Sequence, residues 1–127
     1  MKDKKVRMEN SSPINLKIRT KCYALDVIRA YARLDKSVIA QTLGRQFIRS
    51  GTCVGANYRE AVRSRSNPEF IAKMGDSLKE LEETLYWFEL CEESGVMTRK
   101  EVAPLAKETD ELIAIMTTIV KKVKSTS

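Results

Sequence analysis

The chain contains no histidine. This absence removes the commonest general base, every His-dependent nucleophile arrangement and the Glu-x-x-His ligands of di-iron bundles. A Gly-rich phosphate loop and a nucleophile-elbow motif are also missing from the sequence. We therefore expect a protein that is not an enzyme and that uses no cofactor.

Cysteine is scarce as well, with only Cys22, Cys53 and Cys91 in the sequence. They lie far apart, and an odd number cannot pair completely within one chain. A metal site is not expected, because the chain has neither a Cys-x-x-Cys pair nor a histidine. We expect all three cysteines to be reduced, half-buried spacers between helices.

Long hydrophobic runs are missing too, and none approaches the roughly 18 residues that a membrane span needs. The first residues are basic, but the apolar segment of a signal peptide does not follow them. We expect a cytoplasmic protein that does not bind a membrane. Residues 1–15 are predicted to form a flexible tail, residues 16–124 one bundle domain, and residues 125–127 a frayed C-terminus.

Charge is distributed unevenly along the chain, although the net charge is only +6. Residues 1–66 carry 15 Lys and Arg against 5 Asp and Glu, which gives +10, whereas residues 67–127 carry 8 against 12, which gives −4. A cationic surface of this kind suits a polyanion, or an acidic patch on another copy of the protein.

The apolar residues that follow the tail repeat at a helical period, with no alternating segment typical of a strand. This pattern predicts an all-α protein, an antiparallel up-and-down four-helix bundle. The first helix is predicted from about Leu16 to Leu34 and the second after a short turn near Asp35 to Ser37. The core-facing residues of the first helix are predicted to be Ile18, Leu25, Ile28 and Ala32.

The third and fourth helices have clear start and stop signals. Asn67 is predicted as the N-cap of the third helix, with Pro68 at its first position, and Gly95 as its C-terminal stop. Thr98 and Glu101 form a capping box for the fourth helix. Both helices carry heptad seams, made of Phe70, Met74, Ser77, Leu81, Thr84, Phe88 and Cys91, then Val102, Leu105, Thr109, Leu112, Met116, Ile119 and Val123.

The second helix separates into stripes at about 100° per residue. Gly44, Gly51 and Gly55 share one flank, where close approach of a neighbouring helix is expected, and we favour a helix of the same chain over another subunit. The opposite flank of the core face carries four polar residues that are predicted to form a structural hydrogen-bond network: Gln46, Ser50, Asn57 and, further out, Glu60.

Four arginines face away from the core on this helix: Arg45, Arg49, Arg59 and Arg63. Four cations on one face repel each other unless an anion balances them. Two explanations stay open, phosphate groups of a nucleic acid or carboxylates on the third helix of a neighbouring subunit. Asp76, Glu80 and Glu83 are those carboxylates, and we favour ion pairing over acid–base catalysis for them.

The third helix has apolar residues in every direction near its C-terminal end. Tyr86, Trp87 and Leu90 fall outside the inner seam, so a single four-helix core cannot cover them. Exposed aromatic residues mark interaction surfaces. These three residues are therefore the predicted interface of a homo-oligomer.

Particular residues from Gln46 to Trp87 also form a recognisable pattern: Gln46, Arg49-Ser50, Ala56 to Ala61, Ser66, Glu69-Phe70, Lys73, Ser77-Leu78, Glu80 and Glu83 to Trp87. With them the chain, over about residues 18–120, resembles a bacterial four-helix-bundle family. That family was first described from open reading frames in intervening sequences of 23S rRNA genes. Many members have Glu-Gly where this chain has Glu60-Ala61, so the chain is similar to a subgroup.

The resemblance implies a ring-like homopentamer. It extends to the accessory variability determinants of diversity-generating retroelements, which are basic pentamers that bind nucleic acid and a reverse transcriptase. Our first hypothesis is an oligomeric scaffold that contacts RNA or DNA phosphates through the four arginines. The alternatives are a retroelement accessory protein that binds a reverse transcriptase, and a structural protein-interaction oligomer without nucleic acid.

Overall fold

The protein is an antiparallel four-helix bundle. The structure, a computed structural model, describes residues 15–126, and within this range it contains no strand. Extensive contacts join successive helices, and a narrower contact joins the first helix to the fourth. The predicted all-α up-and-down four-helix bundle is thereby confirmed. The helices are α1 (Leu16–Ala32), α2 (Val38–Val62), α3 (Asn67–Glu93) and α4 (Arg99–Thr126).

The predicted domain boundaries lie near the two ends of the chain, which the structure describes only in part. Residues 1–14 and Ser127 lie outside the described residues, and with them nearly all of the predicted tail. Ser125 and Thr126, for which the sequence predicts a frayed C-terminus, belong to the last turn of α4. None of the four described helices combines the length and the apolar character that crossing a membrane requires.

Each helix that follows a turn has a side-chain cap at its N-terminus. The N-cap of α3 is Ser66 rather than the predicted Asn67, because the Ser66 hydroxyl accepts a hydrogen bond from the Glu69 backbone N–H at 3.2 Å. The predicted capping box of α4 is confirmed, since Glu101 accepts from the Thr98 backbone N–H at 2.8 Å and the Thr98 hydroxyl accepts in return.

The predicted seams of α3 and α4 face the bundle interior. Phe88 lies at the centre, fully buried, with its ring 5.1 Å from that of Phe47 on α2. Pro104 lies inside α4 without ending it. The buried seam residues of these two helices are Met74, Ser77, Leu81, Thr84, Phe88 and Cys91 on α3, and Val102, Thr109, Leu112 and Met116 on α4.

The predicted core face of α1 is wrong. Ile18, Leu25 and Ile28 are about two-fifths exposed, and Ala32 is exposed as well. The helix has a second apolar stripe on roughly the opposite side, and this stripe forms the core. Its buried residues are Leu16, Thr20, Tyr23, Val27 and Ala30.

The glycines of α2 explain which stripe of α1 turns inward. A Cβ atom built at Gly51 would lie 2.9 Å from Val27 Cγ1, and one at Gly55 would lie 3.0 Å from Thr20 Oγ1. At Gly44 it would lie 2.5 Å from Leu34 Cδ1. The three glycines thus form a groove that is filled by α1 and by Leu34 just after it, which confirms that they serve packing within one chain.

Candidate functional site

The outward face of α2 is the candidate site. Arg45, Arg49, Arg59 and Arg63 are all exposed on this face, which spans about 27 Å of helix at 1.5 Å per residue. Between the two pairs of arginines the helix presents Thr52 and Ala56, whose side chains are small. The helix therefore offers two pairs of cations separated by a stretch with little steric bulk.

Arg49 is already paired inside the chain. Its Nη2 lies 2.8 Å from Glu83 Oε1, and its Nη1 lies 3.6 Å from Glu80 Oε1. The hydrogen bond to Glu83 raises the pKa of Arg49. The sequence left open a partner on α3 of a neighbouring subunit; the structure instead supplies one from α3 of the same chain.

The other three arginines of the face behave differently. Arg45, Arg59 and Arg63 have no carboxylate within 4 Å among residues 15–126, so no ion pair engages their guanidinium groups there. Arg63 is also the C-cap of α2, where a cation is favoured by the helix dipole. Three uncompensated guanidinium groups therefore share one solvent-facing helix surface.

The carboxyl group of Glu80, which lies near this face, has a raised pKa. Burial raises its pKa, the nearby Glu83 raises it further, and Arg49 opposes both effects. Its Oε1 atom is buried without a hydrogen-bond partner within the described chain. The adjacent Cys53 thiol has a raised pKa too, because of burial first and Glu80 second. A protonated thiol is a poor nucleophile. Arg49, Glu80 and Glu83 beside Cys53 therefore form an ion-pair cluster at the edge of the core.

The predicted polar network is only partly connected. Ser50 is buried and shares a hydrogen bond of 2.7 Å with Thr84, and it also donates to the backbone carbonyl of Gln46 at 3.1 Å. The side chains of Gln46 and Asn57 make no hydrogen bond within the described residues. Glu60 lies apart at the surface, where Lys73 Nζ is 2.8 Å from its Oε1.

Sequence reasoning missed two buried polar contacts that tie the helices together. Tyr23 shares a hydrogen bond of 2.7 Å with Thr109 across α1 and α4, and burial raises the Tyr23 pKa. Ser77 donates to the backbone carbonyl of Val54 at 2.8 Å. The signal was present, because Ser77, Thr84 and Thr109 are polar residues within otherwise apolar heptad seams.

The predicted oligomer interface lies on the outside of α3. Tyr86 is 53% exposed, whereas Trp87 and Leu90 are half-buried. The Tyr86 and Trp87 rings pack with their centroids 5.1 Å apart. Trp87 Nε1 is buried and has no hydrogen-bond partner in the described chain. The structure thus brings the three residues to one surface of the helix.

The cysteines do not form a reactive group. Cys22 and Cys53 are half-buried, whereas Cys91 is fully buried, and no disulfide joins them. Burial raises the pKa of the Cys91 thiol to about 11. Among residues 15–126, no three His, Cys, Asp or Glu side chains are grouped in a way that could hold a metal ion.

A cleft of about 620 Å³ opens between the C-terminal half of α1 and the N-terminal half of α4. Its four acidic residues all have partners: Asp26 pairs with Arg29, Asp35 accepts from the Ser37 backbone N–H, Glu101 caps α4, and Glu108 binds Arg19.

Taken together, the fold and the surface define a small antiparallel bundle whose uncompensated charges lie on outer helix faces. The chain belongs to the family of the 23S rRNA-intervening sequence protein, whose family model matches residues 15–118. This confirms the predicted resemblance to the 23S rRNA intervening-sequence family.

A solved structure is similar to this chain over most of its length. It is the crystal structure, at 1.70 Å resolution, of a protein with unknown function from the S23 ribosomal protein family of Bacteroides thetaiotaomicron VPI-5482. The two share 31% sequence identity with a TM-score of 0.78, and the match covers 83% of this chain and 97% of that one. No curated protein matches the chain.

Proposed function

We propose that this protein is a non-catalytic, oligomeric, cytoplasmic scaffold that contacts RNA or DNA phosphates through the outward face of α2. The observation that carries the proposal is the exposure of Arg45, Arg59 and Arg63 without a carboxylate partner in the described chain. Guanidinium groups bind phosphate through paired hydrogen bonds, and the small Thr52 and Ala56 side chains leave room for a backbone between them.

The face is suited to phosphates rather than to bases. Aromatic side chains on which unpaired bases could stack are not interleaved with the arginines. Phosphate contacts position a nucleic acid without reading its sequence. Binding is therefore expected to depend little on sequence and strongly on salt.

Arg49 has a smaller part in this proposal than the sequence suggested. Its charge is already balanced by Glu83 at 2.8 Å, so a phosphate would have to compete with that carboxylate. The phosphate-binding set is accordingly Arg45, Arg59 and Arg63, with Arg49 oriented beside them.

The test is a titration of labelled single-stranded RNA with the variant Arg45→Gln/Arg59→Gln/Arg63→Gln. The variant should lose most binding at about 50 mM salt, and its slope of log K against log salt should be smaller by about 2, from three lost phosphate contacts. The matched control is Lys121→Gln/Lys122→Gln/Lys124→Gln, which removes the same charge from α4. Equal binding by both variants would contradict the proposed site.

A second candidate is a protein-interaction oligomer that binds no nucleic acid. The exposed Tyr86 beside Trp87 and Leu90 favours it, because exposed aromatic residues mark interaction surfaces. A reverse transcriptase, the partner implied by the family resemblance, would be one protein of this kind. This candidate predicts that the wild-type protein leaves RNA unbound even at low salt.

A further inference from the structure

The cleft between α1 and α4 is closed by side-chain contacts at one end and open at the other. At the closed end, Tyr23 of α1 shares its 2.7 Å hydrogen bond with Thr109 of α4, and Arg19 binds Glu108 at 2.8 Å. From this level the cleft extends towards the turns that follow α1 and precede α4, and its volume is about 620 Å³. Pockets that hold small organic molecules are of this size.

The inner wall of the cleft is apolar. Its side chains come from α1 and the turn after it, from the turn between α3 and α4, and from α4. All are buried or half-buried, and they belong to the bundle core or pack against it: Tyr23, Ala30, Leu34, Val96, Met97 and Leu105. An apolar molecule in the cleft would therefore remove apolar surface from water on both sides of the contact.

Two cations of the cleft have no partner. Arg33 and Lys100 are exposed, and neither has a carboxylate within 4 Å among residues 15–126. The four carboxylates of the lining are balanced in number by these two cations, by Arg29, and by Arg19 bound to Glu108. A lining that is neutral as a whole and has two unpaired cations suits one negative charge better than the several charges of a phosphate ester.

The two unpaired cations lie at similar heights above the closed end. Arg33 follows Tyr23 by ten residues, and Lys100 precedes Thr109 by nine residues on the antiparallel α4. At 1.5 Å per residue these separations are about 15 Å and about 13.5 Å. The two side chains therefore lie on opposite walls near the mouth of the cleft, where one acid group can contact both.

We propose that this cleft binds a small organic acid with one negative charge and an elongated apolar body, namely a medium-chain carboxylic acid. The carboxylate accepts hydrogen bonds from the Arg33 guanidinium and the Lys100 ammonium. The chain of the acid lies along the apolar wall towards Tyr23, and the depth of about 14 Å limits its length. The site shares no residue with the arginines of α2, so the proposal does not depend on nucleic-acid binding.

Calorimetric titration of the full chain with decanoate, decan-1-ol and decylamine tests the site. Decanoate should bind more tightly than the other two probes, which have the same chain length without the negative charge. The variant Arg33→Gln/Lys100→Gln should bind decanoate about tenfold more weakly, and decan-1-ol as the wild type does. Both residues are exposed, so the variant should keep the fold.

The matched control is Lys36→Gln/Arg99→Gln. This variant removes the same charge from the same end of the bundle, but neither residue lines the cleft. Its affinity for decanoate should therefore be close to that of the wild type. A further variant, Val96→Trp, places a large side chain in the cleft and should prevent binding of both decanoate and decan-1-ol.

Amide NMR spectra recorded during the titration locate the bound decanoate. The signals of Val96, Met97, Lys100 and Leu105 should shift, whereas those of residues 45–63 of α2 should not. This measurement separates binding in the cleft from binding to the exposed apolar residues on the outside of α1.

Three results would overturn the inference. The first is a wild-type protein that does not bind decanoate, or that binds decylamine equally well. The second is an equal loss of decanoate affinity in the Arg33/Lys100 variant and in its Lys36/Arg99 control. The third is a set of shifted amides confined to the outside of α1, around Ile18, Leu25 and Ile28.

Discussion

The helix α2 has no side chain at Gly44, Gly51 and Gly55. The neighbouring α1 packs closely against α2 at these positions. Their position on one flank could be read from the sequence, because glycine inside a helix costs roughly 1 kcal/mol and needs a compensating contact. The sequence did not predict which residues pack against these glycines. Val27 and Thr20 are the neighbours because their side chains are short enough to let the two backbones approach.

We predict opposite effects of alanine at two glycines. Gly51→Ala should lower the free energy of unfolding by about 1–2 kcal/mol, because the new Cβ meets the stiff, buried Val27 side chain and this overpacking exceeds the gain in helix propensity. Gly75→Ala, where nothing lies within 4 Å, should raise it by about 0.5–1 kcal/mol. Urea unfolding measures both, and a stabilising Gly51→Ala would show that α1 and α2 are not closely packed there.

The helices differ in how much of their packing the sequence specifies. α3 and α4 each have one heptad seam, so their buried faces could be predicted. α1 has two apolar stripes of similar length, and periodicity alone cannot choose between them. The choice depends on contacts distant in sequence, namely the glycine groove of α2 and the hydrogen bond from Tyr23 to Thr109.

Side chains rather than backbone proximity hold α1 to α4. Arg19 binds Glu108 through two hydrogen bonds of 2.8 Å and Glu111 through one of 2.7 Å, with only 12% of its side chain exposed. Hydrogen bonds between a guanidinium and carboxylates are among the stronger polar contacts in proteins. This cluster therefore helps to close the bundle.

Arg19→Met should lower the free energy of unfolding by about 1–3 kcal/mol, because it leaves two neighbouring carboxylates of α4, Glu108 and Glu111, without the cation that binds them. The matched change Arg29→Met should cost less than about 0.5 kcal/mol, since the Arg29 pair with Asp26 is exposed, lies within one helix and is 3.3 Å long. Thermal unfolding of the two variants compares them directly. Equal losses would mean that the Arg19 cluster adds no more than a surface ion pair.

The charge of the whole molecule is organised by the bundle topology. The sequence placed four arginines on one face of α2, because helical geometry alone fixes that arrangement. It could not assign their partners, because the register of α2 against α3 is set by core contacts such as Ser50 to Thr84. That register brings Arg49 beside Glu83 of the same chain and leaves Arg45, Arg59 and Arg63 uncompensated. The free cations of α2 and α1 and the free carboxylates of α3 consequently lie on separate outer surfaces.

The central claim is that this bundle is an oligomer that binds nucleic acid through phosphates. Size-exclusion chromatography with light scattering tests it most directly, on the wild-type protein with single-stranded RNA at about 50 mM and about 200 mM salt. The account predicts a species several times the 14.4 kDa monomer mass that elutes with RNA at the lower salt and without it at the higher. A monomer that elutes apart from RNA at both salt concentrations would contradict it.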